Sequence, residues 1–172
     1  MACAITSGYT LDCRDSMGGV KEVYLIALAD VTSFATASGV VTGITKASGK
    51  QFYLFQQFIQ TSQVTEEVTG SDENGTIFYA HTLELQFNKM QAAVRNQVKL
   101  LGANRCIAIV KDRNGVATMW GATMGLSTNA GSGGSGKANG DFNGNRVTLS
   151  GAEPEPYFEV NSTVYAALTT PG

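Results

Sequence analysis

The cleanest periodicity in the chain runs from Thr76 to Phe87. Ile77, Tyr79, His81, Leu83, Leu85 and Phe87 alternate there with Phe78, Ala80, Thr82, Glu84 and Gln86. Successive side chains of a strand point to opposite faces, so this stretch predicts a long strand with one buried face. Gln51–Val64 also alternates, with Phe52, Leu54 and Phe58 on one side and Tyr53, Phe55 and Ile59 on the other. The two are expected to pair as an antiparallel hairpin. Between them lies TEEVTGSDENG, where Glu66, Glu67, Asp72 and Glu73 surround Gly70 and Gly75. That reads as a solvated acidic tip.

Val20–Val31 predicts a strand that is apolar on both sides, and Val40–Thr45 a short one. After Phe87 the period changes. Met90, Ala93, Val94, Val98 and Leu101 recur at helical spacing. They predict an amphipathic helix over about 88–101, with Asn88 as N-cap, Gln91 completing a capping box and Gly102 just past the end. Arg105–Lys111 and Val116–Thr123 flank a turn at Asn114-Gly115. Gly131–Gly144 reads as a flexible loop. Asn145–Gly151 and Tyr157–Asn161 read as closing strands, separated by Pro154 and Pro156. The expected fold is mainly β. It is an antiparallel β-sandwich or barrel, with one amphipathic helix packed on it and long hairpin and loop excursions, in a single domain over 1–172.

Composition supports that reading and adds one feature. Apolar residues make up 43% of the 172, enough for a core. Charged residues are only 15%, which predicts that part of the surface is covered, most simply by copies of the chain. The net charge of −2 and scattered basic residues argue against grip on nucleic acid through a basic patch. Cys3, Cys13 and Cys106 form no disulfide framework or metal knuckle and are expected as buried free thiols. The opening residues do not read as a leader, and no apolar run approaches membrane-spanning length, so a soluble chain made in a reducing cytoplasm is expected.

The search for chemistry yields little. GSGGSGKA (Gly131–Ala138) is one residue short of the phosphate-loop pattern G-x-x-x-x-G-K-[ST]. Ala138 cannot hold Mg²⁺, and NGDFNGN does not open a helix. His81, the single histidine, sits at an inward strand position and reads as a hydrogen-bonded core residue. The acidic pairs Glu66/Glu67, Asp72/Glu73 and Glu153/Glu155 read as solvated turns rather than a glycosidase pair. Trp120, Tyr53 and Phe55 are candidates for a sugar-stacking face. No catalytic residue, cofactor or metal is expected.

What remains is architectural. The order strand, long hairpin, helix, hairpin, closing strands resembles the tail tube proteins of long-tailed bacteriophages. The likeness rests on SGYTLDCRDSMGGVKEVYLIAL, on HTLELQFNKMQAAVRNQVKLLGANRCIAIVKDRNGVATMWG and on NGNRVTLSGAEPEPYFEV. It covers most of the chain and is one of pattern, without a catalytic motif. The resemblance implies a non-enzymatic virion protein assembled in the host bacterial cytoplasm. Its β-sandwich closes into rings, usually of six, that stack into a hollow tube. The implied partners are copies of itself, other tail proteins and viral DNA passing without sequence-specific binding. Contacts between subunits or rings are expected at Glu66, Glu67, Asp72 and Glu73 in the hairpin, and at Lys137 and Phe142 in the Gly-rich loop. That loop is expected to be mobile in a free subunit and ordered in the assembly. The alternatives are a head–tail connector or capsid decoration protein and, from another class, a carbohydrate-binding module.

Overall fold

In the computed structural model, which describes residues 5, 7–11 and 13–172, the alternating segments pair into two sheets. In chain order the strands are β1 (Val20–Ala27), β2 (Val31–Ala37), β3 (Val40–Lys46), β4 (Tyr53–Phe55), β5 (Gln63–Ser71) and β6 (Thr76–Asn88). They continue as β7 (Cys106–Asp112), β8 (Ala117–Trp120), β9 (Ser127–Gly134), β10 (Gly144–Glu153) and β11 (Phe158–Val160). Helix α1 (Ala92–Ala103) follows β6, and helix α2 (Ser162–Ala166) follows β11. The larger sheet has the order β2-β3-β11-β8-β7-β1-β4 and the smaller β5-β6-β10-β9. Among the described residues only the β11–β3 pair is parallel.

The sheets face each other across one core. Val23, Leu25, Ala108 and Val110 of the larger sheet meet Leu83, Leu85, Val147 and Leu149 of the smaller. The opposite face of the larger sheet is covered too. Ile26, Val41, Ile107, Ile109 and Met119 pack there with Phe52, Leu168 and the α2 side chains Val164 and Tyr165. Strand β7 is therefore buried on both faces, which is why Cys106–Val110 is continuously apolar. Burial pushes the Cys106 thiol up to about 11, so it stays protonated at neutral pH. The architecture is a mainly β sandwich with one substantial helix. Its sheets keep the edges β2, β4, β5 and β9, so no barrel closes.

Several expectations are corrected. The Val20–Val31 strand ends at Ala27, where the chain turns and the Leu28 N–H donates to the Arg105 carbonyl at 2.8 Å. Gln51–Val64 is not one strand. Tyr53–Phe55 forms one short strand, paired with β1 through Tyr53↔Leu25 and Phe55↔Val23, and Gln63 and Val64 already belong to β5. A turn follows, with the Thr61 N–H on the Phe58 carbonyl at 3.3 Å and Gln60 at φ 63°. The partner of β6 is β5, from Gln63↔Glu84 to Ser71↔Thr76.

The helix begins later than its spacing predicts. Asn88 pairs with Gly144 as the last residue of β6, and Lys89 takes φ 66°. Gln91 becomes the N-cap without a side-chain bond. Gly102 lies inside α1, and Asn104 closes it by donating from Nδ2 to the Leu100 carbonyl at 2.9 Å. Val94, Val98 and Leu101 turn inward, while Met90 and Leu100 stay exposed. The first half of the Gly-rich stretch is strand, since Gly131–Gly134 pair with Gly144–Val147. Its backbone ladder needs no side chains. Cys13 is exposed, not buried, and Cys3 lies outside the described residues. Helix α2 has no counterpart in the sequence reading. Its N-cap is Asn161, whose Oδ1 accepts from the Thr163 N–H at 2.9 Å.

Strand β6 outruns the sandwich. Its pairing with β10 starts at Tyr79↔Glu153, so Thr76–Phe78 pair with β5 alone. Ile77 and Leu83 share a face, yet Ile77 is 59% exposed and Leu83 is 0%. Leu83→Ala is expected to cost about 2–5 kcal/mol, and Ile77→Ala less than about 0.5 kcal/mol in the free subunit. Urea unfolding of the two variants checks this. Equal losses would mean that the hairpin end is packed rather than projecting.

Candidate assembly surfaces

The β5–β6 ladder sets the geometry of the acidic hairpin. Its tip closes over Asp72–Gly75, where the Asn74 N–H and Nδ2 both donate to Ser71 Oγ, at 3.3 and 3.2 Å. Gly75 takes φ 63°, a conformation that favours glycine. Glu67, Asp72 and Glu73 are exposed, and no Lys or Arg occurs from Gln63 to Phe78. Beside them Val68, Ile77 and Phe78 are exposed apolar side chains at 59, 59 and 40%. The projecting end is acidic at its tip and apolar along its stem.

Glu66 differs from its neighbours. It lies within β5, turned inward, and its Oε2 accepts from His81 Nε2 and from the Tyr157 N–H, both at 2.9 Å. His81 is 2% exposed. Its Nδ1 accepts from the Gly121 N–H at 3.3 Å, which leaves Nε2 as the ring nitrogen that donates to Glu66. His81 is the hydrogen-bonded core residue its position predicts. Its ring lies edge-on to Trp120 at 5.0 Å, and Trp120 stacks on Tyr157 at 4.9 Å. Trp120 is thus buried, Phe55 packs on Phe87 and Tyr53 is exposed alone, so these three aromatics form no common sugar-stacking face.

Glu153 also departs from expectation. It is 3% exposed rather than solvated. Its carboxylate accepts from the backbone N–H groups of Thr123, Met124 and Gly125 at 3.0, 2.8 and 3.1 Å. Those residues form the turn that carries the chain from β8 in one sheet to β9 in the other. Nothing in AEPEP announces this, because the partners lie about thirty residues away.

Lys137 and Phe142 sit in the β9–β10 hairpin. Asp141 Oδ2 accepts from the Lys137 and Ala138 N–H groups, both at 2.8 Å. A strand follows, not a helix, so the amides that a phosphate cradle would aim at a ligand close the turn instead. The Arg146 guanidinium lies 4.6 Å above the Phe142 ring, and its Nε donates to Gln86 Oε1 at 3.1 Å. Lys89, Lys137 and Arg146 are exposed at this end, with Asp141 the sole acid between Ser127 and Ser150. Lys89 and Arg146 escaped the sequence reading because only the ladder brings them to the loop.

The hairpins belong to one sheet and point opposite ways. Ser71↔Thr76 closes one end of β6, and Asn88↔Gly144 marks the other. Across thirteen residues that is about 40 Å. The sheet therefore has an acidic end and a basic end. Its lateral edges are β5 and β9, and β9 (STNAGSGG) carries no charge and no proline. No family model, curated protein or solved structure matches the chain.

Two outcomes follow. Glu66→Ala leaves the His81 Nε2–H and Tyr157 N–H without their acceptor, and is expected to cost about 1–3 kcal/mol. Glu66→Gln keeps an acceptor and is expected to lose less, as denaturant midpoints would report. The second concerns pH. Backbone N–H bonds from Ala138 and then Lys137 hold the Asp141 carboxyl below its usual range. A depressed folded value means that the turn is closed above the ordinary carboxylate range and loosens as pH falls through the lowered value. Amide hydrogen exchange at Lys137 and Ala138 should rise there, beyond the intrinsic pH dependence, and Asp141→Asn should remove the transition.

Proposed function

We propose that the chain is the structural subunit of a bacteriophage tail tube, closing into rings that stack into a conduit for DNA. The observation that carries the reading is the small sheet whose edge strands β5 and β9 have no further strand paired to them, with oppositely charged hairpins at its two ends. Natural proteins blunt exposed edges with charge, proline or a covering element. Edge β9 carries neither charge nor proline, although α1 lies beside it and a register shift between Thr148 and Leu149 interrupts its ladder with β10. Pairing β9 of one subunit with β5 of the next uses both edges in a head-to-tail contact that a closed rotation completes.

Stacking follows the other axis. The acidic tip with Asp72 and Glu73 meets the end bearing Lys89, Lys137 and Arg146 on the next ring. Opposite charges steer register more than they add affinity. The exposed stem residues Val68, Ile77 and Phe78 supply the apolar area. Within the ring, the outer face of the small sheet lines the channel with Thr65, Thr82, Gln86, Thr148 and Ser150. Glu67 and Glu84 stand there against Arg146 alone. DNA carries one charge per about 1.7 Å, so a polar and mildly acidic wall does not hold it.

Negative-stain images and sedimentation of the concentrated protein test the reading. Rings or tubes are expected, with each subunit contact burying more than about 1,000 Å². Because Glu66 is needed in the core, the informative truncation replaces only Thr69–Thr76 by a tight turn. That variant and Asp72→Lys/Glu73→Lys are expected to melt like the parent and to raise the assembly concentration at least about tenfold. A protein that stays monomeric at high concentration, with or without other tail components, removes the proposal.

A further inference from the structure

The segment before β1 alternates as a strand does but joins no ladder among the described residues. Ile5, Ser7, Tyr9, Leu11 and Cys13 occupy one parity, and Thr6, Gly8, Thr10, Asp12 and Arg14 the other. Ile5, Tyr9 and Leu11 are 96, 86 and 85% exposed. Singly exposed apolar side chains are ordinary, but a whole strand face of them is not. The root of the segment is fixed. The Met17 N–H donates to Asn114 Oδ1 at 2.7 Å, and the Arg113 N–H to the Gly19 carbonyl at 3.1 Å.

The larger sheet has a matching vacancy. Edge β4 is three residues long and leaves its outward backbone N–H and C=O groups unpaired by the sheet. Between β4 and α1 runs an open cleft of about 710 Å³. Leu25, Phe55, Phe87 and Leu101 form its floor, and Tyr53 and Leu100, each 56% exposed, its rims. Burying Tyr9 removes about 150–250 Å² from water. With Ile5, Leu11 and both rims added, the contact approaches the roughly 1,000 Å² of a specific interface.

We infer that residues 5–13 add as a strand to the β4 edge of a second copy of the chain, setting Ile5, Tyr9 and Leu11 into the β4–α1 cleft. Main-chain bonds to a free edge supply affinity, and alternate side chains in pockets supply specificity. The direction of the arm favours a second copy over the arm's own cleft. The cleft lies beside Leu25–Ala27, toward the end of β1. Met17 is held at the β7–β8 turn, beyond the Val20↔Asp112 pair at its start. Up to its last fixed point, the arm leads away from its own cleft. The inference does not depend on the tube reading, since arm exchange serves any array of copies.

Cross-linking tests it in a Cys3→Ser/Cys13→Ser background. Full-length protein carrying Leu11→Cys is mixed with protein carrying Leu100→Cys and mildly oxidised. A disulfide-linked pair of chains is expected, and none when Leu100→Cys is replaced by Thr36→Cys on the distant edge β2. A chain carrying both Leu11→Cys and Leu100→Cys should give linked oligomers. An internally bridged monomer at all concentrations overturns the proposal, and so does the absence of any bridge. Adding Ile5→Asp/Tyr9→Asp should cut the linked yield more than about tenfold with the melting temperature unchanged. Tubes without the bridge would sink the arm exchange alone. The bridge without rings or tubes would sink the tube reading alone.

Discussion

A strand of thirteen residues cannot be covered along its whole inner face by the shorter strands opposite, and β6 sets that constraint on everything around it. From Tyr79 to Glu84 it pairs on both sides and from Leu85 to Asn88 with β10 alone, with Leu83 and Leu85 in the sandwich core. Before Tyr79 it has only β5, and the same alternation presents Ile77 to water. The ladder that buries Leu83 and Leu85 thereby fixes where the acidic tip and the basic loop stand. Two hairpins separated by sixty residues of sequence become the two ends of one sheet.

A one-residue slip of β6 would turn its core face to solvent, so its register is closely held. Polar groups add to the apolar pattern. His81 bonds Glu66 across the β5–β6 ladder and Gly121 across to the other sheet. Gly144 allows no side chain at all, because a Cβ there would stand 2.0 Å from the Phe87 carbonyl oxygen. At the other end of β10, Glu153 fills the turn after β8 with its carboxylate. Charge-assisted bonds of this kind are strong when every donor is met, and costly when one is lost. The buried Glu153 holds the crossing between sheets in place.

That also explains what the sequence could and could not reveal. Period-two alternation identified β6, and an Asn-Gly pair identified the β7–β8 turn, because each signal is local. Gln51–Val64 deceived because its alternation continues through a turn made by Gln60, without Gly or Pro to mark it. Asn88 has every quality of an N-cap, yet a ladder bond to Gly144 outbids the helix, and Gly102 stays inside α1 because propensity is a weak prior. Gly131–Gly134 looks like a linker because glycine contributes nothing to a side-chain pattern. Glu66 and Glu153 look like solvent residues because their partners are distant in sequence. Of the suggested contact residues, Glu67, Asp72, Glu73 and Lys137 are exposed, and Phe142 is half-buried under Arg146. Glu66 is already engaged within its own chain.

The edges give the proposed assembly its direction. If two β5 edges met about a two-fold axis, a register centred on the middle of the strand would set Glu67 against Glu67. Like charges directly opposite disfavour that pairing. A β5 edge meeting the uncharged β9 edge has no such conflict. The same choice leaves every subunit with one edge given and one received, so growth stops only when the rotation closes. The charged ends lie along the perpendicular direction and are not consumed by closure. A ring that leaves an acidic rim on one side and a basic rim on the other can then add rings in one orientation. One small sheet, with its edges and ends chemically different, is sufficient to specify both.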